Sequence, residues 1–308
     1  MRHRNWIARL MLPAALLGLL GPWPGLPGTR AWAAERPTIR IGYVQSWSSN
    51  VASANLVAAV IRERLGYPVQ LVSLDPGPMW QGVAQGDLDL SVSAWLPTTH
   101  QAYYAKLWTK VINLGPNLYG TRIGLVVPDY VGIDRIDQLN TVKNRLRGRI
   151  IGIDPGAGIM MKTQAAIKAY GLDYTLVQSS GAAMAAMLAR AERHHRWIVI
   201  TGWTPHWMWA RWKLKYLRDP KGVYGRGGHI NTIISTQLPD KAMPVVRFLK
   251  RFVWTPGQMN QVMMMVRKGM SPAAAARKWL QRHPREVADW VPASAHMQSG
   301  APGSGRSP

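Results

Sequence analysis

Short β-prone runs alternate with helical repeats along most of this chain, and that alternation limits the fold more than any other feature. Residues 38–44 (TIRIGYV) are rich in β-branched and aromatic types and predict a strand. Ser48 to Asn50 offer N-caps for a helix to about Leu65, with Leu56, Val57, Val60 and Ile61 on one face and Gly66 closing it. Residues 69–74 predict a second strand. Pro78 opens a short helix, MWQGVAQ, ending at Gly86, and residues 88–94 predict a third strand. A βαβαβ run of this kind predicts a parallel sheet covered by helices.

The pattern then restarts. Strands are predicted at 123–127, 149–153, 174–178 and 197–201, with one helix after DPGAG to Tyr170 and another from Ala182 to Glu192. A later run, 230–235, leads back toward the first unit. From about Asp240 the chain reads as helical. Thr255-Pro256 and Ser271-Pro272 are N-cap plus N1-proline starts, and Gly269 ends the helix between them. The methionines at 263–265 read as core packing. A chain of 308 residues can hold two modest α/β units, each with its own core.

The ends read differently. Arg2, Arg4 and Arg9 precede an apolar run to about Leu20, and Ala31-Trp32-Ala33 gives a small-x-small close. Residues 1–33 are therefore expected to be a signal peptide. The competing reading, a membrane anchor, meets Pro13, Gly18, Gly21, Pro22 and Pro24 in a run too short to span comfortably. Residues 292–308, rich in Ser, Gly and Pro, are expected to be a disordered tail. There is no cysteine, which removes disulfides, thiolate metal sites, a Cys nucleophile and a lipid-bearing N-terminal Cys. The formal charge of +23 falls by four to +19 once Arg2, Arg4, Arg9 and Arg30 leave with the leader. One reading of that charge is a polyanion binder. The bases are scattered along the chain, however, and no nucleic-acid motif accompanies them. The other is adaptation to an acidic exterior, where few carboxylates stay ionised.

Aromatic usage points to a site. The chain has 15 Trp and 10 Tyr but 2 Phe, more indole than core filling requires, and the indole face is the best ring for a cation. Trp47 follows the first predicted strand, Trp95 the third, and Trp203 the strand WIVIT. Ligands of open α/β sheets bind outside the carboxyl ends of strands, so all three are expected at one crevice. Residues 152–160, GIDPGAGIM, form a glycine-rich strand-to-helix turn. The free N–H groups and positive dipole of the following helix suit a carboxylate at Gly158 and Ile159. No Gly-Lys-Ser/Thr follows, so this is not a Walker loop, and GxGxxG is absent. Asp87, Asp89 and the scattered His lack metal-site spacing, and no nucleophile–base set is legible. Neither a catalytic residue nor a metal or cofactor is expected. Asp87 and Asp89 read as turn and surface residues, Asp154 as a brace for its turn, and Trp80 as packing under the sheet. His206 and Trp207 read as shaping the turn beside Trp203.

Four stretches carry a family resemblance: IGYVQSW with Ala52 and Asn55 downstream, GPMWQGVAQGDLDLSVSAWLPTTH, GIDPGAGIM, and ITGWTPHWMWARWKLKYLRDP. Over about residues 38–291 the chain resembles the glycine betaine-binding proteins of ABC transporters. The resemblance implies a two-lobed periplasmic-binding-protein fold of the second type, with residues 38–125 plus 233–291 as lobe one, including C-terminal helices, and 126–232 as lobe two. It implies an aromatic cage of Trp47, Trp95 and Trp203 around a trimethylammonium group. The ligand carboxylate would lie on the N–H groups of Gly158 and Ile159 and on His100. It further implies a monomeric periplasmic receptor for glycine betaine or proline betaine, permease subunits in the inner membrane as partners, and neither catalysis nor nucleic-acid binding. Binding proteins for other betaine- or choline-type ligands and a secreted polyanion binder remain the alternatives.

Overall fold

The computed structural model describes residues 36–291; the leader read at 1–33 and the tail read at 292–308 lie outside the described residues. The strands are β1 (Ile39–Tyr43), β2 (Val69–Ser73), β3 (Leu90–Leu96), β4 (Val111–Pro128), β5 (Arg149–Ile151), β6 (Thr175–Val177), β7 (Ile200–Thr204), β8 (Leu214–Tyr216) and β9 (Gly228–Ser235). Between them lie α1 (Ser48–Glu63), α2 (Pro76–Gln85), α3 (Gln101–Leu107), α4 (Lys143–Leu146), α5 (Gly158–Ala169), α6 (Gly181–Arg193) and α7 (Met208–Arg211). Helices α8 (Leu238–Arg251), α9 (Pro256–Arg267), α10 (Pro272–Arg282) and α11 (Pro284–Trp290) close the chain.

Hydrogen-bonded neighbours follow the order β2-β1-β3-β9-β4-β7-β5-β6, with β8 beside β4. β1 pairs in parallel with β2 and β3, and β5 with β6 and β7, as βαβ steps require. The all-parallel expectation fails at β4 and β9, which pair antiparallel with each other; β9 does so with β3 and β4 with β7. These two are crossings between the α/β units rather than βαβ steps. β4 is shared by a first sheet, β2-β1-β3-β9-β4, and a second, β4-β7-β5-β6 with β8. From Val111 to Thr121 it pairs with β9, and from Arg122 onward with β7 and then β8. Three register shifts in its first half, at Asn113/Gly115, Pro116/Leu118 and Tyr119/Thr121, give it the irregularity that a bend needs.

The same antiparallel neighbours move two predicted strand ends. β3 stays paired with β9 to Leu96, and β7 with β4 to Thr204. Trp95 and Trp203 are therefore the penultimate residues of strands, not residues beyond them. Trp47 does lie beyond β1, as the N-cap of α1.

Every residue of β3 is buried, as suits a central strand. α1 packs against α9 and α10, which ties the C-terminal helices to the first sheet. Thr255 and Ser271 cap α9 and α10 as their sequences predict, each accepting from a backbone N–H three residues on. Part of the indole excess is core after all. Trp80, Trp254, Trp279 and Trp290 are buried, and Trp279 stacks on His283 at 3.9 Å and on Trp290 at 5.9 Å between ring centres. Met263 is buried and Met264 and Met265 are half-buried against the same core. Asp89 is not a surface residue. Its carboxylate is buried, receives Lys241 Nζ at 2.7 Å and 2.8 Å and accepts the Arg40 N–H at 2.6 Å, which fixes the start of β3 to α8.

Candidate functional site

Trp47, Trp95, Trp203, Gly158 and Ile159 line one cavity. The five come from four places in the chain: the turn after β1, the ends of β3 and β7, and the start of α5. The hydroxyl residues Ser49 and Thr99 also line it, and no lining residue is charged. Leu96–Pro97 and Thr204–Pro205, each following one of the strand-end tryptophans, are cis peptides.

The start of α5 is bare. Ala157, its N-cap, offers no side-chain bond, and its first turn contains no acid. The N–H groups of Gly158 and Ile159 are among those that a helix cannot satisfy internally, and the helix dipole adds partial positive charge there. Only glycine fits at 158. A Cβ there would stand 2.0 Å from the Thr99 carbonyl oxygen, because the turn after β3 lies directly on the helix start.

His100 is fully buried and is not among the lining residues. Its Nδ1 accepts the Trp80 indole N–H at 3.2 Å and the Trp95 backbone N–H at 3.3 Å. Both partners can only donate, so Nδ1 carries no proton and the neutral ring holds its hydrogen on Nε2. Burial also pushes the imidazole pKa down to about 3. Nε2 is buried and has no partner among the described residues. His100 is thus a neutral donor with one unspent N–H, its ring centre 5.9 Å from that of Trp47. Trp80, read from sequence as packing, sets this tautomer.

Asp154 has a second role that its turn did not advertise. Its Oδ2 accepts Ser46 Oγ at 3.0 Å, the Trp47 indole N–H at 3.3 Å and the Gly181 backbone N–H at 3.3 Å. Ser46 and Trp47 follow β1 of the first sheet, whereas Asp154 follows β5 of the second and Gly181 opens α6 after β6. One carboxylate therefore orients a cavity indole and joins the two units. Two more contacts cross the same seam. The Tyr103 hydroxyl donates to the Gly156 carbonyl at 3.1 Å, and a Cβ at Gly181 would come within 2.7 Å of the Ser46 carbonyl oxygen. His206 does not line the cavity. It stands edge-on to Trp203 at 4.8 Å between ring centres, and its Nδ1 accepts the Met208 N–H at 3.2 Å.

Three indole faces attract a cation without a formal anion, and bare helix-start amides attract an anion without a formal cation. A cavity with both and no charged side chain suits a small zwitterion.

The chain is similar to known proteins. Residues 37–282 match the family model OpuAC, the substrate binding domain of ABC-type glycine betaine transport systems. Over 145 residues the chain is 46% identical to the glycine betaine/carnitine transport binding protein GbuC of Listeria monocytogenes, a match covering 46% of this chain and 48% of that protein. The chain thus spans about half the length of that curated relative. Among solved structures, lactococcal OpuAC in a closed conformation with glycine betaine superposes with a TM-score of 0.78 at 40% identity, covering 82% of this chain and 98% of that one. The glycine betaine/L-proline-binding protein ProX of Borrelia burgdorferi gives 0.80 at 32% identity, covering 84% and 98%. The fold is the two-lobed type II periplasmic-binding-protein fold expected from the sequence. The chain belongs to the family of substrate-binding domains of ABC-type glycine betaine transport systems.

Proposed function

We propose that this protein is the periplasmic substrate-binding component of an ABC importer for glycine betaine or a close quaternary-ammonium relative such as proline betaine. The observation that carries this reading is the meeting of three indoles with a bare helix start in a charge-free cavity. Trp47, Trp95 and Trp203 hold the quaternary ammonium, each desolvated ring contributing about 1–2 kcal/mol. The Gly158 and Ile159 amides and the free N–H of His100 hold the carboxylate. The protein binds and releases its ligand without making or breaking a bond.

Uptake follows from closure. Lobe one (38–125 with 233–291) and lobe two (126–232) part and close about the β4 and β9 crossings, in keeping with the change of partner inside β4 at Thr121/Arg122. Ligand adds contacts available only in the closed form, shifts the population toward it, and the permease subunits in the inner membrane recognise that form. The receptor acts as a monomer. Among the described residues no helix is long and apolar enough to cross a membrane, in keeping with a receptor outside it.

The test is titration of purified protein with glycine betaine, proline betaine, carnitine and choline, followed by tryptophan emission and heat. Glycine betaine or proline betaine is expected to bind well below millimolar, and choline, which lacks a carboxylate, more weakly. Failure of all four below millimolar removes the cage reading. Choline binding as tightly as the betaines removes the carboxylate seat alone.

A further inference from the structure

Bases that look scattered in sequence converge in space at one place. A broad cleft is lined by Arg145, Arg147, Arg149, Arg190 and Arg196, together with His195. None of its twelve lining residues is acidic, and none is lysine. All five arginines are exposed, and among the described residues none takes part in an ion pair. Glu192 is the nearest acid in sequence. Its Oε1 is buried without a partner, and burial pushes its carboxyl pKa up.

The cleft shares no lining residue with the indole cavity. Arg149 opens β5, whose far end leads to Gly158, and Trp197 precedes β7, whose far end carries Trp203. Cleft and cavity thus lie toward opposite ends of the same strands, with Ile151 on the cleft and Ile153 on the cavity.

Helix termini do not account for the charge. α4 and α6 both end here, and each helix end offers roughly half a negative charge. Against five arginines that leaves a large positive excess. The backbone is also held unusually. Arg147 (φ 56°) and His195 (φ 50°) are the described non-glycine residues with left-handed backbone, and both line this cleft. Glycine or asparagine would normally take such helix-end positions, so an arginine and a histidine stand where the backbone disfavours them. Arg145 is further fixed by stacking on Trp197, its guanidinium carbon 3.5 Å from the ring centre. Planar forks held at the rim of a concavity suit oxygens of phosphate, which they can bind two at a time.

We propose that this arginine cleft is a second, betaine-independent site for a phosphate-bearing anion. Phosphate presented on a lipid headgroup and free oligophosphate share the chemistry, and the experiment separates them. Full-length mature protein is tested for tripolyphosphate binding by calorimetry and for sedimentation with phosphatidylcholine vesicles with and without phosphatidylglycerol. Arg145→Gln/Arg147→Asn/Arg190→Gln removes three cleft charges, with asparagine chosen at 147 because it tolerates the left-handed backbone. Arg247→Gln/Lys250→Gln/Arg251→Gln removes three exposed charges from α8 as the control. Thermal midpoints report folding of both. At least one probe is expected to bind wild type, with affinity falling steeply between about 50 and 200 mM salt. The cleft variant should lose tenfold or more and the α8 variant less than twofold. Binding of tripolyphosphate alone assigns a free ligand, and binding of anionic vesicles alone assigns a headgroup. No binding of either probe, or equal losses in the two variants, overturns the site and leaves only attraction by net charge.

Discussion

The candidate site is decided by a few atoms whose partners lie far away in sequence. His100 keeps its hydrogen on Nε2 because Trp80, 20 residues earlier, occupies Nδ1. Trp80→Phe keeps the packing and removes that donor. It is expected to weaken glycine betaine binding several-fold, whereas Trp203→Ala, which removes a cage ring worth ~2 kcal/mol, should cost about 30-fold. Equal losses in calorimetry would place both rings in the same structural role. Asp154→Ala removes the acceptor shared by Ser46, Trp47 and Gly181. Release is expected to quicken about tenfold in stopped-flow tryptophan emission, with the thermal midpoint of the ligand-free protein little changed; an unaltered release rate would reduce Asp154 to a turn residue. The strand-end tryptophans and the glycine-rich turn were legible because they are local patterns. The roles of Trp80 and Asp154 were not, since nothing in GPMW or DPGAG announces a partner across the fold.

At the scale of elements, the βαβ steps were readable because each one hides a hydrophobic face of definite period. β4 was half hidden. Gly115 and Pro116 disfavour regular strand, yet β4 carries them through by shifting register against β9. The ends of β3 and β7 were misplaced because the partners that prolong them are antiparallel crossings, invisible to local periodicity. Asp89 belongs here too, since its pairing with Lys241 joins β3 to α8 across 152 residues. Asp89→Ala leaves a half-buried ammonium and the Arg40 N–H without their acceptor, and is expected to destabilise the fold by about 3 kcal/mol in urea unfolding. A loss below about 1 kcal/mol would show the C-terminal helices to be held by packing alone.

For the whole molecule, two buried histidines set the response to acid. Burial lowers the pKa of both His100 and His206 to about 3, against 6.5 for the unfolded chain. Between those values the unfolded state binds more protons. Stability is therefore complete above about pH 6.5 and falls as pH drops toward 3. At pH 5 each histidine costs about 2 kcal/mol relative to pH 8. Melting temperatures measured from pH 8 to pH 5 are expected to decline; a flat or rising profile would favour the acid-adapted reading of the basic composition. Neither buried histidine is among the residues that carry the arginine cleft, so its anion affinity should follow salt rather than these two titrations.

That a charge-free cavity holds both ends of a zwitterion is tested most directly by calorimetric titration of glycine betaine in low and in high salt. Indole faces and buried amides are poorly screened, so a dissociation constant well below millimolar that changes less than about twofold is expected. No saturation below millimolar, or an affinity that falls tenfold with added salt, would contradict it.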